Sequence, residues 1–542
     1  MKKLCDIIDF KNNKIKTIVG LVIFIVQAVM SVVTVWYLNR LNIMPAKYFY
    51  AFLAVLAVLL LVTAGLNIWR KTHVIGKILG VIISAFLVLV CVYEHNAYSM
   101  LSTITQDHYD VDNYVLVVKK DSDLENVSQL AGKIVGVLEN SSNKDAVENA
   151  VTQLKQAVGS DSIEIKNYDV VTDLINALNS GDVDAILYNK AVDDIVNEVI
   201  VGYSDSIRVL AEYEVKTLVT YVNQNQQESE PETEHETETE TERPTEADSI
   251  RQPVYDPSRD PNAPGGGGYI GGDNYKDNSK KGPITNRAFN VYISGIDCYG
   301  KVSGKSRSDV NILMTVNPMT KEIVLTNTPR DYYVPIPGVT PGNWRDKLTH
   351  AGIYGVWTSV ATIENIYEVE IDYYVRINFT SFIDIINALG SIDVYSDYTF
   401  SAGGYNFKKG VNTFTSGQQA LAFARERHAF AAGDHQRGRN QMAVINGIIN
   451  KAVSPAIVTN FVPLVNSVST SVQTNMTMDE ITQLAKMQIA DGASWNITQQ
   501  AVTGSGGTRE CYSMKNYQLS VVLPNQASIN SCKAKIQSVI NG

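Results

Sequence analysis

Cysteine is scarce in this chain, with five residues among 542, so a fold held together by a disulfide framework is excluded. A broad positive charge is lacking too. The net charge is −10, and residues 228–248, with nine Glu, one Asp and one Arg, contribute −9 of it. Because the rest of the chain is nearly neutral, a basic nucleic-acid-binding protein is excluded. Hydrophobic residues make up 45% and charged residues 19%, which excludes a wholly disordered chain.

Three long apolar segments open the chain. They span Thr17–Leu38, Tyr48–Trp69 and Val74–Glu94, and each is close to the ~20 residues that a helix needs to cross a bilayer. We therefore predict a three-helix transmembrane anchor within residues 1–100. A buried helical hairpin of a soluble protein is the alternative, but three such runs in succession are difficult to cover in one core.

Lysine and arginine residues flank these segments unequally: five lysines precede the first, and almost no cations follow the third. Cytoplasmic flanks are enriched in these residues, so we predict a cytoplasmic N-terminus and, after three crossings, an extracytoplasmic remainder. Disulfides persist in that compartment. Cys511 and Cys532, on either side of a strand predicted at Leu519–Leu523, are candidates for a pair, and two free thiols are the alternative.

Residues 105–222 alternate strand and helix signals, which predicts a small α/β accessory domain. The predicted strands and helices are, in order, Tyr114–Val118, Ile134–Leu138, Asp145–Val158, Ile163–Tyr168, Val171–Asn179 and a strand ending at Tyr188. Two phrases, Leu130–Val137 and Leu178–Ala185, resemble the periplasmic solute-binding fold. The region is shorter than a two-lobed binder, so we favour a spacer or docking module.

Residues 223–284 break this pattern. Glu alternates with Thr or His from Glu232 to Glu242, and a like-charged run of this kind repels itself and cannot pack. Pro- and Gly-rich sequence follows. We predict a solvated linker that lets the last domain reach away from the bilayer.

The last region, residues 285–542, returns to strand signals, with polar side chains where strands begin or end. Strands are predicted at Asn290–Gly295, Asp309–Val316 and Glu322–Asn327. The polar residues at their ends are Asp297, Arg307, Asp309, Arg330 and Asp331. Strands hold such positions rigidly and loops expose them, which favours function.

Two interpretations of this charge pattern stay open from the residues alone. Surface salt bridges are common and nearly neutral in energy. A site for a polyanion with a divalent cation is the other interpretation, because the planar guanidinium of arginine donates two parallel hydrogen bonds to phosphate. Aspartates hold magnesium together with phosphate oxygens and waters.

Six separated sequence blocks give this chain a resemblance to the LytR-CpsA-Psr (LCP) family, in which they recur in the same order. The blocks are Gly295–Asp297, Ser306–Asp309, Thr328–Asp331, Lys347–Ala351, Ala424–Arg427 and Gly433–Gln441. The match is good from about residue 288 to 455 and fainter to about 540. Three membrane segments and an accessory domain resemble the CpsA-like branch. The resemblance implies an α/β fold with an LCP-type catalytic domain, whose mixed central sheet is flanked by helices.

The resemblance also implies an activity. Members of the family act as magnesium-dependent phosphotransferases at the bacterial cell membrane. They transfer a glycopolymer of the capsule or teichoic acid type from a polyprenyl-pyrophosphate carrier to peptidoglycan. Capsule-assembly proteins are implied as partners. A membrane sensor that binds polyprenyl-phosphate lipids without turnover and a lipid pyrophosphatase are the alternatives.

Site residues follow from the same resemblance, block by block. Asp297 and Asp309 would hold Mg²⁺. The residues that would grip the pyrophosphate are Arg307, Arg330, Arg425, Arg427 and Arg437, with Arg439 and Gln441 beside them. The chain departs from the family at Asn440, where many relatives have Arg.

Two further expectations concern the same domain. Asp331 and Asp434 are candidates for a general base, or partners of arginines. The apolar helices predicted at 356–366, 382–389 and 442–449 supply either a channel for the polyprenyl tail or an ordinary core.

Overall fold

The computed structural model describes residues 14–69, 72–104, 108–139, 144–159, 162–219, 278–298, 304–454, 464 and 472–542. The acidic run and the Pro- and Gly-rich sequence of the predicted linker lie outside these residues.

Three long helices open the described chain: α1 (Lys14–Leu41), α2 (Ala46–Ile68) and α3 (His73–Ile104). Within them, Thr17–Leu41, Ala46–Ile68 and His73–Ser99 are long and apolar enough to cross a membrane. This confirms the prediction of three apolar helices. Many of their large apolar side chains are exposed on the helix surface, which is expected where lipid replaces water as the solvent.

The accessory domain, residues 108–219, is built on a five-stranded mixed sheet of order β3-β2-β4-β1-β5. Its strands are β1 (His108–Lys119), β2 (Ile134–Leu138), β3 (Glu164–Tyr168), β4 (Ala185–Asn189) and β5 (Ile207–Val219). Its helices are α4 (Lys144–Val158), α5 (Val171–Ser180), α6 (Asp193–Val199) and α7 (Tyr203–Ser206). β2 runs parallel to β3 and β4, whereas β1 is antiparallel to β4 and β5. The sequence signals located β1, β2, β3 and β4, with β1 predicted shorter than it is, and missed β5.

The C-terminal domain, residues 278–542, is built on a six-stranded mixed sheet of order β16-β11-β6-β7-β8-β17. Those strands are β6 (Phe289–Ile296), β7 (Ser308–Asn317), β8 (Glu322–Asn327), β11 (Tyr373–Ile377), β16 (Val472–Thr474) and β17 (Asn496–Ala501). The β6–β11 and β8–β17 pairs are parallel, and the other three pairs are antiparallel. This confirms the predicted mixed central sheet.

Helices and short strands complete the C-terminal domain. The helices are α8 (Val356–Tyr367), α9 (Phe379–Leu389), α10 (Gly417–Arg425), α11 (Asp434–Ala452), α12 (Met478–Asp491) and α13 (Gln526–Asn541). The remaining strands are β9 (Tyr333–Val334), β10 (Asp346–Lys347), β12 (Ile392–Ser396), β13 (Phe400–Ala402), β14 (Tyr405–Phe407), β15 (Gly410–Phe414), β18 (Gly504–Cys511) and β19 (Met514–Pro524). A short 3-10 helix covers Leu348–Tyr354.

Both faces of the central sheet are covered, as the alternation of side chains along a strand requires. On one face, Tyr292 and Leu313 pack in a cluster with residues of α8 and α13. On the other face, Val291 and Ile293 share a cluster with Met442 of α11. The apolar segment of α8 is therefore core of the domain.

The β18–β19 hairpin joins the two domains. Cys511, Met514 and Leu519 lie in one buried cluster with Leu174 and other apolar residues of the accessory domain. Cys532, on α13, lies in the cluster beneath the central sheet. Because the two cysteines face different cores and both are free, the prediction that they pair is wrong.

The C-terminal domain also contacts the membrane helices. Lys486 Nζ donates to Asn42 Oδ1 at 2.8 Å, and Lys47 Nζ donates to the Ala490 carbonyl at 2.9 Å. Helix α12 therefore sits against the connection between α1 and α2. The domain lies close to that end of the helices, although the linker was predicted to let it reach away from the bilayer.

Candidate anion-binding site

Asp309 and Arg330 form the centre of the candidate site. β7 and β8 are antiparallel, with Ile312 opposite Asn327, so the start of β7 and the chain after β8 meet at one edge of the sheet. Arg330 Nη1 donates to Asp309 Oδ2 at 2.7 Å, and Thr349 Oγ1 donates to Asp309 Oδ1 at 3.0 Å. The structure thus brings two of the predicted site residues into direct contact.

A buried polar network holds this edge in place. The Tyr292 hydroxyl lies 3.0 Å from Ser308 Oγ and donates to Asn311 Oδ1 at 2.6 Å. Ser294 Oγ lies 2.8 Å from Ser308 Oγ. Ser308 is fully buried and its hydroxyl is engaged on several sides, so it serves to fix the strand that carries Asp309.

Helix α11 brings Arg437 to the same edge. The helix begins after Gly433, whose φ of 48° lies in the left-handed region that glycine adopts without steric cost. One turn later, a Cβ at Gly438 would overlap the side-chain amide of Asn327. Glycine lets the helix approach the end of β8 without displacing that side chain, and this approach brings Arg437 near Arg330.

The pKa of Arg437 is shifted by burial and by the charged residues around it. Burial lowers the pKa of Arg437, nearby Arg330 and Arg427 lower it further, and Asp434 and Asp309 oppose them, with a net lowering. Arginine stays protonated in proteins, so the lowered pKa reflects a buried cation with two other arginines nearby. A bound polyanion would favour the charged guanidinium.

Arg330 has the opposite balance. Burial lowers its pKa, but Asp309, Asp331 and Asp434 outweigh burial and raise it. Asp434 pairs with Arg437, and Asp331 lies 3.8 Å from Arg330 and 3.7 Å from Lys347. Both candidate bases are therefore partners of cations.

Arg425, Arg439 and Gln441, which were also predicted for the site, lie in different surroundings. The Arg425 guanidinium carbon lies 4.3 Å from the centre of the Phe379 ring. Arg439 follows Arg437 by two positions, about 200° around the helix. It donates to Gln436 and lies 3.5 Å from Asp397, so the structure does not join Arg439 to the central group. Gln441 follows Arg437 by four positions and shares its face of α11.

Arg307 faces the accessory domain. Its Nη2 lies 3.5 Å from Asp194 Oδ2 and its Nη1 lies 3.5 Å from Glu198 Oε2. Lys347 Nζ donates to Glu198 Oε1 at 2.9 Å and thereby connects this contact to Asp331. Sequence reasoning gave no role to Lys347, although it belongs to the fourth sequence block, or to Glu198, whose helix carried no motif.

The same region contains a buried histidine. His350 Nδ1 lies 2.6 Å from Asp346 Oδ1, and the Ser513 backbone N–H donates to Asp346 Oδ2 at 2.8 Å. Burial would raise the pKa of Asp346, but His350 and the hydrogen bonds from Ser513 outweigh it, and the pKa is lowered. This cluster fastens the turn of the β18–β19 hairpin to the 3-10 helix.

The two aspartates predicted to hold Mg²⁺ come from adjacent strand ends. Ile296 pairs with Ser308 in the antiparallel β6–β7 pair, so Asp297 and Asp309 lie at the same edge of the sheet, on opposite sides of that paired position. Among the residues that the structure describes, no group of three or more His, Cys, Asp or Glu could hold a metal ion. Magnesium needs only one or two protein carboxylates when substrate phosphates and waters complete its octahedron, so this donor set fits.

A protein family and several named proteins match this chain. The model described as the LytR_cpsA_psr family matches residues 220–535. The Bacillus subtilis protein named polyisoprenyl-teichoic acid–peptidoglycan teichoic acid transferase TagU is 37% identical over 219 residues, which cover 40% of this chain and 69% of that protein. A protein of the same name from Bacillus licheniformis is 38% identical over 194 residues, 36% of this chain and 61% of that protein.

Solved structures match as well. The crystal structure of B. subtilis TagV has a TM-score of 0.41 and 27% identity, covering 47% of this chain and 98% of that one. The crystal structure of B. subtilis TagU has a TM-score of 0.37 and 31% identity, covering 47% of this chain and 97% of that one.

Proposed function

This chain belongs to the LytR_cpsA_psr family, and from that premise we propose that it transfers a glycopolymer from a polyprenyl-pyrophosphate carrier to peptidoglycan. TagU, a relative from B. subtilis, is named for the transfer of teichoic acid to peptidoglycan. The transferred polymer is of the teichoic acid or capsule type, and capsule-assembly proteins are proposed partners.

One observation carries the proposal. Arg330 donates to Asp309 at 2.7 Å at a partly buried edge of the sheet, and Arg437 lies near enough to both residues for each of them to affect its pKa. Close cations in a partly buried site repel one another. A diphosphate would add negative charge beside the two arginines, and the fork of each guanidinium matches two phosphate oxygens.

The proposed reaction is a phosphoryl transfer. A hydroxyl of the peptidoglycan glycan attacks the phosphorus on the sugar side, a new P–O bond forms, and the bond to the polyprenyl phosphate breaks. The hydroxyl proton passes to the departing polyprenyl phosphate or to water. Arg330 and Arg437 stabilise the charge that moves onto the leaving phosphate. Thr349 and Arg330 orient the Asp309 carboxylate. Bound at Asp297 and Asp309, Mg²⁺ would supply charge neutralisation for the phosphate oxygens.

The carrier lipid needs an apolar surface beside the cations. Ile386 and Leu389 of α9, Phe423 of α10 and Val444 of α11 belong to one apolar cluster. Arg425, at the end of α10, and Arg437, near the start of α11, border this cluster in sequence. The four apolar side chains are buried, so we propose that the polyprenyl tail lies against the partly buried edge of the cluster, at Phe382, Ile385 and Ile448.

We also propose that the C-terminal domain lies outside the cell. The lysine-rich N-terminal flank favours a cytoplasmic start. The connection between α1 and α2, which contacts α12, would then be extracytoplasmic together with the C-terminal domain. The contact puts the C-terminal domain on the side of the α1–α2 connection, and the charge rule alone proposes that this side is extracytoplasmic.

The test incubates full-length protein in nanodiscs with polyprenyl-diphosphate-linked glycan, Mg²⁺ and peptidoglycan fragments. Polymer joined to peptidoglycan supports the proposal. Release of polyprenyl phosphate and phosphorylated glycan without joining indicates a pyrophosphatase, and binding without turnover indicates a sensor. Either of these two outcomes contradicts transfer.

A further inference from the structure

An acidic pair of the accessory domain reaches the predicted anion site. Asp194 and Glu198 are four residues apart on α6, so their side chains share one face of the helix. Each carboxylate lies 3.5 Å from a terminal nitrogen of Arg307. We propose that these two carboxylates act as a built-in counter-anion for Arg307, which the diphosphate displaces, so that the accessory domain sets the affinity of the site for its substrate.

The hydrogen bonding of Arg307 is incomplete, which supports this inference. Its Nε atom is buried and has no hydrogen-bond partner within the described part of the chain. The two ion-pair distances of 3.5 Å are longer than the 2.7–2.9 Å usual for a charge-assisted hydrogen bond. The acids therefore neutralise the guanidinium without satisfying it. A phosphate group, with several acceptor oxygens, can form the bonds that are missing.

The contacts of both acids with Arg307 are easily given up. The Asp194 and Glu198 side chains are 62% and 42% exposed, whereas that of Arg307 is 17% exposed. Asp194 can rotate into water at small cost, because exposed ion pairs contribute little free energy, and Glu198 needs to turn only Oε2 away while its Oε1 keeps the bond to Lys347. Arg307 would stay in place to receive the diphosphate.

The accessory domain does not have to leave when the acids move. Lys305 Nζ pairs with the buried Asp112 carboxylate at 2.9 Å, and Cys511 and Leu519 share an apolar cluster with the accessory domain. These contacts lie outside the acidic pair. The counter-anion is therefore a local device on a domain that stays docked.

The inference rests on the proposed function and is tested by binding. Full-length protein in nanodiscs with Mg²⁺ is titrated calorimetrically with a short-chain polyprenyl diphosphate and, separately, with inorganic pyrophosphate. The Asp194→Asn/Glu198→Gln variant is expected to bind each probe about three- to ten-fold more tightly than wild type at low salt, because each neutralised ion pair competes modestly. Raising the salt concentration should reduce this gain, since exposed charges are screened.

Matched variants separate the outcomes. Glu212→Gln removes an exposed carboxylate that pairs with Lys190 elsewhere on the accessory domain, and it should bind like wild type. In an Arg307→Ala background, the acid substitutions should give no gain. Asp194→Asn alone, which leaves the Lys347–Glu198 bond intact, should give a smaller gain and guards against misfolding of the double variant.

One negative result would contradict the counter-anion alone, and another would contradict the proposed function. Unchanged or weaker binding by the double variant, with wild-type binding that depends on Arg330, would overturn the counter-anion and leave the proposed function standing. Absence of diphosphate binding in wild type, or binding equal in Arg330→Ala, would overturn the proposed function itself.

Discussion

The two sheets of the molecule carry similar charged residues in different settings. On the accessory domain, Lys190 and Glu212 pair at 2.8 Å with 52% and 55% of their side chains exposed. On the C-terminal domain, Arg330 and Asp309 pair at 2.7 Å with 18% and 16% exposed, and Arg437 adds a second confined cation. The difference shows that burial and the crowding of several charges, more than residue type, distinguish a binding site from a solvated surface pair.

The largest effect on activity is expected from removing one of the partly buried arginines. Arg437→Ala should lower the rate of glycopolymer transfer about a thousandfold, since an arginine that stabilises charge in a phosphoryl transfer carries that order of effect. The initial rate of transfer in nanodiscs measures it. Lys190→Ala, which removes an exposed cation, should stay within about two-fold of wild type. A loss of less than about ten-fold for Arg437→Ala would contradict the assigned role.

The next test removes the charge of Asp309, the carboxylate at the centre of the candidate site. Asp309→Asn should lower transfer about a hundredfold, because Arg330 loses its charged partner and the proposed magnesium site loses a carboxylate. The dependence of the initial rate on Mg²⁺ concentration should shift to higher concentration. Asp184→Asn, at an exposed pair with Lys133, is the matched control. An unchanged magnesium dependence would argue against Asp309 as a ligand.

A third test changes the packing that assembles the site. Gly438→Ala should lower the free energy of unfolding by about 1–3 kcal/mol, because the new Cβ would overlap the buried Asn327 side chain, and either that side chain or the helix must move. Thermal unfolding of the full chain measures this loss. Gly506→Ala, where a Cβ would meet nothing within 4 Å, is the comparison. Equal melting temperatures for the two variants would show that α11 does not need the close approach.

The melting temperature should depend on pH through Glu198, which lies at the interface between the two domains. Burial raises the pKa of Glu198, but its bond to Lys347 and the nearby His350 and Arg307 outweigh burial, so the pKa lies below 4.5. A lowered pKa means that the ion pair stabilises the folded state above pH 4.5. This contribution is lost as pH falls through the folded-state pKa. Melting temperature measured from pH 7 down to pH 3 should decline less steeply in Glu198→Gln than in wild type. Parallel curves would contradict the contribution of this pair.

The smallest effect is expected from reduction. Cys511 and Cys532 are free and lie in separate cores, so a reducing agent should change the melting temperature by less than about 1 °C, whereas loss of a native disulfide typically costs far more. Thermal unfolding with and without dithiothreitol measures it. A marked fall on reduction would restore the predicted pairing.

Much of the fold was accessible from local patterns. The three apolar helices follow from segment length and composition. The strand predicted at Glu322–Asn327 has the observed bounds of β8, because a run of apolar and β-branched residues ends there at a change to Pro and charged residues. Strand β5 was missed, although charged and apolar residues alternate from Glu212 to Lys216, because its partner strand β1 lies about a hundred positions earlier and the pairing leaves no local mark.

The site was accessible in part for the same reason. Sequence blocks named Asp309, Arg330 and Arg437, which the structure brings to one edge. The same reasoning grouped Arg439 with them, but two positions along a helix turn a side chain to the other side, toward Asp397. Glu198 carries no local signal, because its importance depends on how a separate domain is docked.

By itself the sequence determined which segments are apolar enough for lipid, where strands and helices form, and which residue types are suited to phosphate, because each depends on residues close along the chain. The tertiary structure alone decided which arginines share an edge, that the two cysteines face different cores, and that the acids of α6 reach Arg307. These facts depend on the docking of distant elements, and packing of shared apolar surface governs that docking.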